Sequence, residues 1–308
     1  MRLKISSSPH LYSKEATPYL MKQVIFALLP AAFAGIYFFR ERAVFLIINC
    51  VLTAVITEEV TLRIRKKPSA VGDFSAVLTG LLLALILPPQ TTWYAASLGS
   101  VVAILIGKQL FGGLGANIFN PALIGRAFLM AGYPKMLTTF MAPKGVDSIT
   151  SATPLALLKF SQKVTPTIDL FLGKISGSLG ETSAVLLIIG GLYLLIRKIA
   201  DWRIPFSMIL SVVMISTIGF FLKPANGSVL FHLFSGGLLI GALFMATDPV
   251  TTPVTKGGRY LFGILCGLII MIIRYFSGLP EGVMYSILFM NAFTPLINRC
   301  TRPRRYGT

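Results

Sequence analysis

The sequence predicts an all-α, polytopic membrane protein of about ten helices, arranged as two inverted five-helix repeats. Three observations carry that expectation. The chain of 308 residues is 55% hydrophobic and only 13% charged, far too apolar for a soluble domain of this length. Its apolar residues gather in long runs punctuated by lysine and arginine. Short runs interrupted by proline and glycine recur at matching places in the two halves.

In chain order, residues 1–22 are polar and of mixed charge, without the short apolar core or small-residue cleavage site of a removable signal peptide. Runs able to cross a hydrocarbon core of roughly 30 Å follow at about 23–39, 43–62 and 92–107, with a shorter one at 74–87. A second marginal run, 117–132, completes a first repeat over 23–132. The polar stretch 133–182 separates it from a second repeat over 183–298, whose runs are 183–197, 205–222, 229–246, 260–276 and 283–298. A basic tail, 299–308, ends the chain.

The charge distribution sets an expected orientation. With both termini in the cytoplasm, 18 of the 28 lysines and arginines fall in cytoplasmic segments: the N-terminal stretch, 63–67, Lys108, 197–203, 256–259 and the tail. Positive-inside bias favours that arrangement and puts the 133–182 loop outside. The net charge of +17 is therefore read as topology. A nucleic-acid binder would gather its cations on one soluble face.

Five helices per half is an odd number, so two copies must be inverted. TGLLLALILPP at 79–89 has its counterpart in SGGLLIGALFMATDP at 235–249, and each is followed by a span and a Gly-rich approach to another helix. Interrupted helices in inverted repeats offer free N–H and C=O groups near mid-membrane, where lipid offers no water. The plainer reading is that Pro and Gly kink ordinary packed helices.

Few single residues suggest chemistry. Arg126 lies within a short apolar run and must either snorkel to an interface or meet an anion or polar cavity. Asp248, beside a proline break, could contact a cation or cap a helix. Asp73 reads as a helix N-terminal charge, and Glu58 and Glu59 as interfacial balance for the RIRKK that follows. His10 and His232 are isolated, and Cys50, Cys266 and Cys300 lack metal spacing, so the thiols read as packing residues. Walker, nucleophile-elbow and dinucleotide fingerprints are absent from the sequence.

The loop carries DSITSATPL at 147–155. Thr153 as N-cap, Pro154 at the first helical position and LALLKF as a short amphipathic helix account for its end. The whole run, Asp147 through Ser151, Ala152 and Thr153, resembles the flavinylation motif, in which a flavin transferase joins FMN through its phosphate to the last threonine. Together with GGLGANIFNPALIGRAFL (112–129) and MATDPVTTP (245–253), it makes the chain resemble, over nearly its full length, the family of Rnf-complex D subunits and sodium-translocating NADH:quinone oxidoreductase B subunits. The Rnf side is favoured because the long N-terminal extension of the quinone-reducing proteins is missing.

That resemblance implies a membrane electron-transfer subunit, not catalytic alone, in a complex that couples electron flow between ferredoxin and NAD to Na⁺ or H⁺ translocation. It implies covalent FMN on Thr153, a related noncovalent riboflavin whose residues the sequence does not place, and a urea-transporter-like fold. Partners would be the A, B, C, E and G subunits of Rnf in a bacterial or archaeal cytoplasmic membrane, with a flavin transferase in maturation. A plain transporter or channel with an unmodified Thr153 is the competing reading, and a structural scaffold a third.

Overall fold

A computed structural model describes residues 17–140, 152–173, 175–222 and 227–302, and among them the regular elements are helical. The first half opens with α1 (Thr17–Phe39) and α2 (Glu41–Ile64), joined at Arg40, whose φ of 52° makes the reversal. Next come α3 (Ser75–Ile86), α4 (Trp93–Ile104), α5 (Pro121–Gly132) and the single turn α6 (Pro134–Thr138). Ten of the twelve residues of α3 are buried. A helix apolar on every side is stable where protein surrounds it, which is how the uniformly hydrophobic 74–87 run is used. It stops at Leu87 in an extended conformation because Pro88 disfavours a helical residue before it.

The polar stretch between the halves contributes two short helices, α7 (Pro154–Ser161) and α8 (Thr167–Leu172). The second half contains α9 (Ala184–Ile196), α10 (Arg203–Leu222), α11 (Val229–Phe234), α12 (Leu238–Ile240), α13 (Lys256–Phe276) and α14 (Val283–Cys300). The apolar run at 229–246, which contains the Gly-rich interruption noted in the sequence, is a broken helix. The chain leaves α11 at an extended Ser235, passes Gly236 at φ 67°, and restarts as α12, which runs into a π turn at Gly241–Met245. A positive φ is open to Gly at little cost, so this break is built into the sequence.

All ten apolar runs are helical in whole or in part, but among the described residues only α1, α2, α10 and α13 are both long and apolar enough to cross a membrane alone. The 92–107 run becomes a 12-residue α-helix with a π turn at Leu105–Gln109, and 183–197 becomes 13 residues. At 1.5 Å per residue the 13-residue α9 reaches about 20 Å, short of a full crossing.

Within each half the helices pack on one another. α2 lies on α4, and α4 on α5; in the second half α10 lies on α13, and α13 on α14. The halves are joined through α1 against α9 and α5 against α14. Small residues permit these contacts: a Cβ on Gly80 would stand 2.7 Å from the Cys50 carbonyl oxygen, and one on Gly267 2.7 Å from that of Met208. The outward faces of the long helices expose Phe33, Ile56, Met214 and Ile218, as a lipid-facing surface requires.

Candidate functional site

Two polar centres lie inside this apolar body. The first forms where the broken helix restarts. Arg126, on α5, reaches across to the approach of α14 and pairs with Glu281, with Nη2 3.0 Å from Oε2. Glu281 also accepts from the backbone N–H of Gly237, one residue before α12. The Glu181 carboxyl comes to the same spot: a Cβ on Gly237 would stand 3.0 Å from Glu281 Oε1 and 3.5 Å from Glu181 Oε1. Glu181 in turn accepts from the Ser178 N–H at 3.4 Å.

Arg274, buried at 5% exposure, completes the ring of charge by donating to the carbonyls of His232 and Ser235. These are chain-end acceptors where α11 stops, and a guanidinium satisfies them with favourable charge. Two acids and two arginines thus balance at the junction of both halves. Arg126 therefore has an acidic partner rather than snorkelling. Glu181, Glu281 and Arg274 were not singled out by the sequence, where each is one charge near a run boundary and nothing signals their convergence.

The Thr153 helix touches this centre. A Cβ on Gly236 would lie 2.7 Å from Leu155 Cδ1 and 2.9 Å from Glu281 Oε1, so α7 and the Arg126–Glu281 pair meet at the same glycine. Thr153 caps α7, its Oγ1 accepting from the Ala156 N–H at 3.3 Å, with Pro154 at the first helical position and Pro154 and Leu155 buried. Lys159 pins the other end of α7 to α13 by donating to the carbonyls of Ile273, Arg274 and Leu279 at 2.9–3.3 Å. Burial pulls its ammonium below the usual lysine range. Ala152 is exposed and Thr153 half-buried; Asp147 and Ser151 lie outside the described residues.

Asp248 belongs to the second centre. Its carboxylate accepts from the Val250 N–H at 3.4 Å and the Thr251 hydroxyl at 3.2 Å, closing the turn after the π segment. It lines a cleft with Ser75, Lys108, Asn117 and Asn120, walled by Leu78, Leu82 and Phe244. Asn120 caps α5, its Oδ1 accepting from Ala122 N at 3.1 Å, and its amide donates toward Met245 O. No group of three or more His, Cys, Asp or Glu suited to a metal occurs among the described residues.

The reading of Glu58 as interfacial balance needs correction. Glu59 does pair with Arg63 at 2.7 Å, but Glu58 is fully buried and takes the ammonium of Lys108, itself 1% exposed. Lys108 also donates to Ser75, whose N–H and hydroxyl bind Asp73. Asp73, one residue before the Phe74 N-cap of α3, thus places its carboxylate at the helix N-terminus as expected. Cys50 and Cys266 are buried packing thiols, while Cys300 is exposed and does not pack. His232 is buried, edge-on to Phe231 and Tyr275. His10 lies outside the described residues.

The motifs that form both centres extend over a matched family profile, which covers residues 4–307. The chain belongs to the NQR2, RnfD, RnfE family. Within that family it is 47% identical to the D subunit of the Na(+)-translocating ferredoxin:NAD(+) oxidoreductase complex of Acetobacterium woodii, covering 100% of this chain and 96% of the relative. It is 45% identical to the D subunit of the proton-translocating ferredoxin:NAD(+) oxidoreductase complex of Clostridium ljungdahlii, over 99% and 96%. It is also 40% identical to the D subunit of the ion-translocating oxidoreductase complex of Stutzerimonas stutzeri, over 94% and 91%. These relatives share whole-chain similarity while the names of the first two specify different ions.

Proposed function

We propose that this chain is the D-type electron-transfer subunit of an ion-translocating ferredoxin:NAD⁺ oxidoreductase, carrying covalent FMN on Thr153 and working only within its complex. The observation that carries the reading is the position of Thr153. It is partly exposed, it heads a helix, and it stands two residues from the side chain that packs where Arg126, Glu281 and the broken helix meet. Whole-chain similarity to the D subunits of two such complexes supports the same conclusion.

The residues fit the group. Pro154 has no N–H and the Ala156 N–H already meets Thr153 Oγ1, so the Leu155 N–H is the donor of α7 next to the acceptor, and helix N-termini favour phosphate oxygens. Exposed Ala152 leaves room for a modifying enzyme beside the acceptor. FMN, when bound, supplies one- or two-electron relay chemistry, and the protein contributes position and electrostatics. A noncovalent riboflavin would need a site of its own, since the cleft at Asp248 measures about 100 Å³, below the roughly 300 Å³ at which ligand pockets begin. Asp248 could instead meet a cation there. The transported ion stays open, since relatives at 47% and 45% identity carry names specifying Na⁺ and H⁺.

The proposed topology has ten membrane elements in inverted repeats, with both termini cytoplasmic and the Thr153 loop outside. The parallel contacts α2–α4–α5 and α10–α13–α14 support it. The partners would be the A, B, C, E and G subunits of Rnf in a bacterial or archaeal cytoplasmic membrane.

The test expresses wild type and Thr153→Val with a flavin transferase, denatures both, and examines in-gel flavin fluorescence and the mass of the peptide holding residues 147–155. Wild type should fluoresce and carry FMN mass; the variant should insert but show neither. Equal flavin on both would move the acceptor to another residue. A wild type without flavin, beside an active transferase, would leave Thr153 a helix cap and favour a plain transporter.

A further inference from the structure

The basic end of the second half contains a cavity that shares Ile199, Ala200, Thr247 and Pro249 with the wall of the Asp248 cleft but carries its own set of charges. It measures about 420 Å³ and is lined by Lys198, Asp201, Arg203, Thr252 and Arg259, with Trp202 at its side. Three cations face one carboxylate. Asp201 is already shared, taking Arg203 Nη1 at 2.8 Å and Arg259 Nη1. Partial burial alone would raise its carboxyl, but the Arg203 N–H and the two guanidiniums hold it below the usual range. Arg259 Nε donates to the Pro253 carbonyl at 3.0 Å. The Lys198 ammonium and the outer guanidinium nitrogens of Arg203 and Arg259 have no protein acceptor among the described residues.

The surroundings say where an anion for these cations would come from. Trp202 packs edge-on against Phe206 and Tyr260, with the Arg203 guanidinium 5.5 Å from its ring. Aromatic clusters beside cations at helix ends mark the headgroup level of a bilayer. Ile196 and Phe206, next to the cavity in sequence, are 79% and 53% exposed, so acyl chains have apolar surface to follow. Lys198 holds a φ of 57° in the left-handed turn that closes α9, where its own N–H and that of Ile199 donate back to the carbonyls of Leu195 and Leu194. α10 and α13 both begin here, and their positive dipole ends add to the field.

We propose that this cavity binds a phosphate group, supplied by the headgroup of an anionic phospholipid. Arg203 and Arg259 present guanidinium edges suited to phosphate oxygens, Lys198 adds a point charge at the rim, and Thr252 adds a hydroxyl. Asp201 orients the arginines and, being already engaged by both, leaves the site with a net charge near +2. An anionic headgroup is therefore the match, and a zwitterionic one, which brings its own ammonium into the cationic rim, is a poor one.

The experiment uses the full chain, purified in non-ionic detergent and delipidated, titrated separately with phosphatidylglycerol, phosphatidylcholine and inorganic phosphate. Native mass spectrometry reads bound lipid, and the shift in melting temperature reads inorganic phosphate. Lys198 is the residue to change because it makes no structural ion pair. Phosphatidylglycerol should bind wild type and Lys198→Arg, bind Lys198→Ala about fivefold more weakly, and exceed phosphatidylcholine throughout. Equal binding of the two lipids, or unchanged affinity in Lys198→Ala and Lys198→Glu, would overturn the site. Lys198-dependent stabilisation by inorganic phosphate as large as that by phosphatidylglycerol would overturn the lipid source and make the ligand free phosphate.

Discussion

At the scale of single residues, the energetics turn on charges that have partners. Lys108 and Glu58 are both essentially out of solvent, so removing one leaves the other unpaired, at about 3–5 kcal/mol. Lys108→Met should lower the melting temperature of the purified chain sharply, and Lys108→Met with Glu58→Gln should restore most of it. A double variant as unstable as the single one would mean that the pair's geometry, rather than the orphaned charge, matters. Arg126 and Glu281 keep 13% and 23% side-chain exposure, so Arg126→Leu should cost less, about 2 kcal/mol. Asp201 gives a pH signature. Because its folded pKa is depressed, its contribution is present above the unfolded value of about 4 and disappears as pH falls through the folded one. The melting temperatures of wild type and Asp201→Asn should therefore differ at pH 6 and converge towards pH 3. These partners were not legible in the sequence: Arg126 and Glu281 are 155 positions apart, and apolar periodicity carries no information about which distant charges meet.

At the scale of elements, local chemistry and outcome agree where neighbours in sequence make the element. Thr153 and Pro154 begin α7, Asp73 supports the start of α3, and Pro88 ends it, each through contacts within a few residues. Hydrophobicity alone leaves the place of a break open. The Gly-rich interruption in the 229–246 run falls at Gly236, at φ 67°, and the break creates the N–H that Glu281 accepts. Gly236→Ala should be destabilising by about 1–2 kcal/mol, from left-handed strain and from a Cβ 2.7 Å from Leu155. The comparison variant Gly257→Ala, at a position with open space around it, should be neutral or slightly stabilising in the same thermal assay. Comparable losses in both would detach the strain argument from Gly236.

At the scale of the whole molecule, the expected orientation is testable because the charge asymmetry is large. A reporter active only in the cytoplasm should work when fused after Arg305 and be silent within 135–180; activity at the loop fusion would invert the topology. Helical character, the positions of the apolar runs and the family motifs were determined by the sequence itself, because each follows from hydrophobicity or from residues adjacent along the chain. Tertiary structure alone decided the rest. Only packing brought α5, α7, α12 and the approach to α14 around Gly236, paired Lys108 with Glu58 across 50 positions, and gathered Lys198, Arg203 and Arg259 about one cavity. The physical reason is that burying a charge is tolerable only beside its counter-charge, and which segments become neighbours is set by helix packing over the entire chain.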